Sequence, residues 1–100
     1  MNLEISHFYR DASNYKQFQS VIVANVDRLS PEAASERLRA RFANDQVWSD
    51  ILHFRPEDLG WPTAYFDDHG ADEDDLDLHE LEAIAPTDQP VTTDFTLSSL

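Results

Sequence analysis

The chain has no cysteine, only two glycines, and not one lysine or arginine after Arg55. Without cysteine there can be no disulfides, thiolate zinc centres or thiol nucleophiles. With Gly60 and Gly70 alone, no glycine-rich phosphate cradle can be built, and neither a nucleophile elbow nor a His-Glu-x-x-His helix is present. The longest apolar stretch, Val21–Ala24, falls far short of a membrane span, and Met1–Ile5 shows no basic region leading into an apolar run. These absences predict a soluble, cytoplasmic protein without catalytic residues, cofactor or dedicated metal site.

What is present is a segregated charge. The last 45 residues carry 13 carboxylates and no cation, whereas residues 1–55 hold seven of each sign, so the whole net charge of −13 resides in one half. A field of one sign steers and holds a partner of the other. A pI near 4.3 argues against direct contact with nucleic acid or anionic lipid, because phosphate contacts need cations. The strongly positive surfaces common in cells are those that grip nucleic acid, which makes such a protein the expected partner.

One hundred residues, 41% of them apolar, are enough for one small domain. A core over residues 1–66, an acidic segment over 67–85 and an extension over 86–100 are expected. Residues 2–10 alternate, with Leu3, Ile5, His7 and Tyr9 on one face, and residues 15–26 form a second strand around Val21–Val23. Asp11–Asn14 between them read as a hairpin turn. Ser30-Pro31-Glu32 opens a helix to about residue 44, with Ala34, Leu38 and Phe42 as its buried stripe. Ile51–Phe54, Thr63–Phe66 and Val91–Leu97 read as short further strands, the last at an edge. His7 and His53 read as packing residues. The expected fold class is α+β: an N-terminal antiparallel hairpin packed on one main helix.

Residues 67–82 hold nine carboxylates in 16 positions. Extended, this is one charge per roughly 6 Å, and as a helix one per roughly 2.7 Å. A B-DNA strand carries one per about 3.4 Å, so only a compact form reaches that density. Leu78, Leu81 and Ile84 at three-residue spacing predict such a helix; the alternation of Leu76 and Leu78 with Asp77 and His79 permits a strand instead. A calcium loop with Gly70 at its sixth position would run from Tyr65 to Leu76 and lack the final glutamate.

The charge layout of Asp67–Glu82, with Glu57, Asp58, Asp88 and Asp94, resembles that of the DNA-mimic inhibitors of phages and mobile elements, of anti-CRISPR and anti-restriction type. His7–Lys16 separately resembles small uncharacterised bacterial proteins, which implies no activity. The first resemblance implies a non-enzymatic inhibitor seated in the basic groove of a CRISPR effector or restriction enzyme. Its expected contact residues are Asp67, Asp68, Asp72, Glu73, Asp74, Asp75, Asp77, Glu80 and Glu82, with Trp61 and Tyr65 as aromatic anchors. The alternatives are an antitoxin-like accessory module using an aromatic patch of Trp48, Phe54 and Trp61, and a divalent-cation-binding domain.

Overall fold

The computed structural model describes residues 1–11, 15–47, 50–65 and 78–97. Among these residues lie four strands and one α-helix: β1 (Asn2–Arg10), β2 (Lys16–Val23), α1 (Pro31–Arg41), β3 (His53–Phe54) and β4 (His79–Thr87). The sheet is antiparallel with order β2-β1-β4-β3, so the class is α+β and the N-terminal hairpin is present.

β1 buries every second side chain, Leu3, Ile5, His7 and Tyr9, on the face the alternation predicts. Across that face Leu3 pairs with Val23 and Ile5 with Val21. Ala34, Leu38 and Phe42 of α1 and its C-cap cover these residues, joined by Leu52, Phe54, Leu59, Trp61 and Leu97 in one apolar cluster. Ser30 caps the helix, its Oγ accepting from the Ala33 N–H at 3.1 Å. Replacing Ser30 by alanine should therefore cost about 1 kcal/mol, measured as a lower urea midpoint at unchanged slope.

Beyond α1, Gln46 fixes β3 in place. Its Nε2 donates to the carbonyls of Phe42 and His53, at 2.9 and 2.7 Å, while its Oε1 accepts from the His53 N–H at 3.0 Å. Gly60, at φ +72°, then ends a short 3-10 turn in the left-handed region that glycine adopts without strain.

Three sequence expectations change. The spacing of Leu78, Leu81 and Ile84 belongs to a strand, because the register slips between Ser6 and His7 and leaves Glu82 between two ladder positions. Leu81 opposite His7 and Ile84 opposite Ile5 thus share the core face three residues apart, a helix-like spacing produced by a β-bulge. β4 tolerates Pro86 because β3 pairs with it only at His79 and Glu80, leaving that side of the strand without a ladder to interrupt. Val91–Leu97 is not a strand; Thr92 bonds to Ile22 of β2, and Thr96 forms an isolated bridge with Ala24 just beyond that strand. Thr63–Tyr65 is irregular because its backbone bonds to side chains, as set out below, rather than to a neighbouring strand. Phe66 and the helix expected over 72–77 lie outside the described residues.

Candidate interaction surface

The acidic stretch is rooted where β1 and β4 meet. Tyr9 pairs with His79 at the end of the β1–β4 ladder, and the rings of Tyr9, Tyr65 and His79 pack together, with Tyr65 and His79 centroids 4.5 Å apart at 82°. The Ala64 N–H donates to His79 Nε2 at 2.8 Å in a buried bond. An amide can only donate, so this nitrogen carries no proton and the ring's hydrogen is on Nδ1. Two residues earlier the roles reverse. His7 Nε2 lies 3.0 Å from the Pro62 carbonyl, which can only accept, so here the imidazole donates.

Gln17 adds two bonds from β2, its Nε2 reaching the carbonyls of Ala64 and Tyr65 at 3.3 and 3.2 Å. Residues 61–65 are thus strapped onto the sheet by His7, His79 and Gln17. The chain leaves at Tyr65 and returns at Leu78, and both ends of the departure are fastened to one another.

Burial lowers the pKa of His7, against the opposing effect of its bonds to the Pro62 and Ile5 backbone. Burial likewise lowers that of His53. There the Glu80 carboxylate pulls the other way, and the Arg39 and Arg10 charges push it further down. Both side chains are fully enclosed, as their reading as packing residues expects.

The proposed contact residues divide. Asp67, Asp68, Asp72, Glu73, Asp74, Asp75 and Asp77 lie outside the described residues. Glu82 is exposed on β4, at the bulge. Glu80 is only 5% exposed and is gripped by Arg10, with Nε–Oε2 at 2.8 Å and a second contact at 3.2 Å, so it holds the fold together rather than facing outward. Trp61 is 3% exposed, edge-on to Phe54 and Phe95; with Phe54 also enclosed, neither ring forms a surface aromatic patch. Tyr65 is half-buried, and its hydroxyl donates to Glu57 at 2.8 Å. Trp48 lies outside the described residues.

Sequence reasoning did not identify His79 or Gln46 as organising residues, since neither stands in a motif and each acts on a segment 7 to 15 residues away. Beside the root, an open groove of about 440 Å³ runs between β4 and α1, with Arg10, Arg39, Asp50, Glu80, Glu82 and Phe8 among its walls. Its charges are mixed in sign. Among the described residues no group of three or more histidine or carboxylate side chains is placed to hold a metal ion, and no helix is long and apolar enough to cross a membrane. No protein-family model, curated protein or solved structure matches the chain.

Proposed function

We propose that this protein is a non-enzymatic inhibitor that occupies the basic nucleic-acid-binding surface of a CRISPR effector or restriction-type protein by presenting its carboxylates in place of DNA. The observation that carries the reading is the fastened root. Residues 66–77 hold seven carboxylates and no cation, and the chain on either side of them is clasped by the Ala64–His79 bond. A free tail of that composition would spread its charge along a random coil. With both ends fixed at one place, half the segment's contour limits the reach of its backbone to about 22 Å from the root. Concentrated charge of one sign is what raises the local potential and speeds encounter with a cationic groove.

Capture from a bacterial lysate on immobilised protein tests this. The retained protein should itself bind DNA, duplex DNA should displace it, and its affinity should fall by about 10²-fold or more between roughly 50 and 200 mM salt. Replacing Asp72, Asp74, Asp75 and Asp77 together by lysine should abolish retention at an unchanged melting temperature. A complex indifferent to salt and to this charge reversal would rule mimicry out.

A further inference from the structure

We infer that the exposed half of β2 is a self-association edge, and that its partner is β2 of a second copy of this chain. β2 is an outer strand of the sheet, and all five residues Lys16–Ser20 are exposed, whereas Val21–Val23 are buried. The pairing with β1 runs without a register shift from Leu3–Val23 to Arg10–Lys16. Ile22 turns both backbone groups away from β1, its N–H donating to Thr92 Oγ1 and its carbonyl accepting from the Thr92 N–H, each at 2.9 Å. By the strand's two-residue period, Lys16, Phe18 and Ser20 turn theirs outward too.

The chain covers this edge only in part. Thr92 lies on Ile22 and Thr96 bridges Ala24, but among the described residues no backbone reaches the outer edge at Lys16 or Phe18. The Ser20 N–H is met by the Gln19 side chain at 3.2 Å. Natural edges are normally blunted by a proline, a bulge, an inward charge or a lysine on the edge. Here Lys16 is such a lysine, but from Gln17 to Ser20 none of these devices occurs.

Side chains and charge select a second copy as the occupant. Phe18 is 58% exposed and packs on Phe8 of β1, with ring centroids 5.3 Å apart, so one side of the stack is bare. Pairing β2 antiparallel with its own copy about Phe18 sets Phe18 opposite Phe18 and Lys16 opposite Ser20, and extends the aromatic pair into a row of four rings. The two lysines then stand about 13 Å apart along the strand, beyond a Debye length of about 8 Å. In a chain of 20 carboxylates, none occurs between Asp11 and Asp27, the longest such interval in the sequence. The edge strand itself therefore adds no like charge to the approach of two anionic copies.

The opposing force is the remaining charge. The acidic segments depart from Tyr65, which Gln17 of this same strand binds, so two copies bring two anionic roots near each other. Dimerisation must therefore strengthen with salt. Partner binding by the acidic segment, as proposed above, must weaken with salt, so the two ideas fail separately.

Sedimentation equilibrium of the full chain, from roughly 0.05 to 1 M salt at concentrations up to about 1 mM, is the test. The expected result is a concentration-dependent rise from 11.5 kDa toward twice that mass, favoured by salt. Phe18→Lys should restore the monomer while lowering the monomer's folding equilibrium constant by no more than about 5-fold, or about 1 kcal/mol, the worth of the cross-strand Phe8–Phe18 pair it removes. Since the chain has no cysteine, Phe18→Cys supplies a second readout. Facing residues in a hydrogen-bonded pair lie about 5.5 Å apart, within disulfide reach, so mild oxidation should give a covalent dimer. A cysteine at Glu32, on the helix, should give none. A monomer at every salt and concentration, a dimer unaffected by Phe18→Lys, or equal cross-linking from both cysteines would overturn the inference.

Discussion

Replacing Arg10 by alanine is expected to destabilise the fold by about 2–4 kcal/mol, below the full cost of breaking a wholly buried pair because Arg10 is itself partly in water. Glu80 has 7% of its side chain accessible and Arg10 33%, with the guanidinium grasping both carboxylate oxygens. Removing the arginine leaves a carboxylate enclosed between β1 and β3 without that cation. An exposed pair would contribute only about 0–1 kcal/mol, so the size of the loss reports burial. His53 then takes on a new role. In the parent, Arg10 and Arg39 hold its pKa down while Glu80 pulls it up. Burial still holds the His53 pKa down, but without Arg10 the carboxylate acts on it less opposed, so the variant should lose somewhat less stability than the parent on mild acidification. Adding Glu80→Gln to Arg10→Ala should recover a large share of the loss, since an uncharged amide is far less costly to enclose. Urea midpoints of the parent, the single and the double variants decide this. A change under 1 kcal/mol in Arg10→Ala would mean the pair is an ordinary surface contact.

Acid should unfold the protein through its histidines well before its carboxylates titrate. His7 and His53 have pKa values lowered by burial, so the native state keeps them neutral while the unfolded chain protonates them near 6.5. The unfolded state then binds more protons below that pH, and stability falls as pH falls. The steepest slope is about 1.4 kcal/mol per pH unit for each histidine that stays neutral. The stability these two contribute is fully present above about pH 6.5 and is lost on the way down from there. Relief of repulsion among the many carboxylates has the opposite sign, and it sets in lower, near pH 4. Melting temperatures from pH 8 to 5.5 should therefore decline, and the double variant His7→Phe, His53→Phe should show a flatter profile over that range. A parent curve that stays level or rises toward pH 5.5 would refute the assignment.

Such a response would matter for the proposed activity. The strap of residues 61–65, held by His7 and His79, is also the root of the acidic segment. Weakening the strap loosens the point from which the charge is presented, so affinity for a cationic partner and thermal stability should decline together as pH falls below about 6.5.

Local signals carried the hairpin and the helix. Period-two alternation in residues 2–10 places Leu3, Ile5, His7 and Tyr9 inward in a strand paired with its neighbour in sequence, and the Ser30-Pro31 start needs only the free amides that follow it. β4 was harder for a physical reason. Its bulge at Glu82 shifts the inward set from odd to even positions, so Leu81 and Ile84 imitate the period of a helix. The aromatic residues divide on the same principle. Composition makes Trp61 equally suited to a core and to an interface, and only its position against Phe54 and Phe95 puts it inside.

The amino-acid order alone determined that all net charge lies beyond residue 55, that no thiol or glycine-loop chemistry is available, and that a hairpin precedes one capped helix. Tertiary structure alone decided that Glu80 is spent on Arg10, that His79 closes the root of the acidic stretch, and that half of β2 remains an open edge. Charge and turn signals act over a few residues and are written locally. The Arg10–Glu80 ion pair joins residues 70 positions apart and the strand partners Asn2 and Thr87 lie farther apart still, and which of them meet is fixed by the folded chain as a whole.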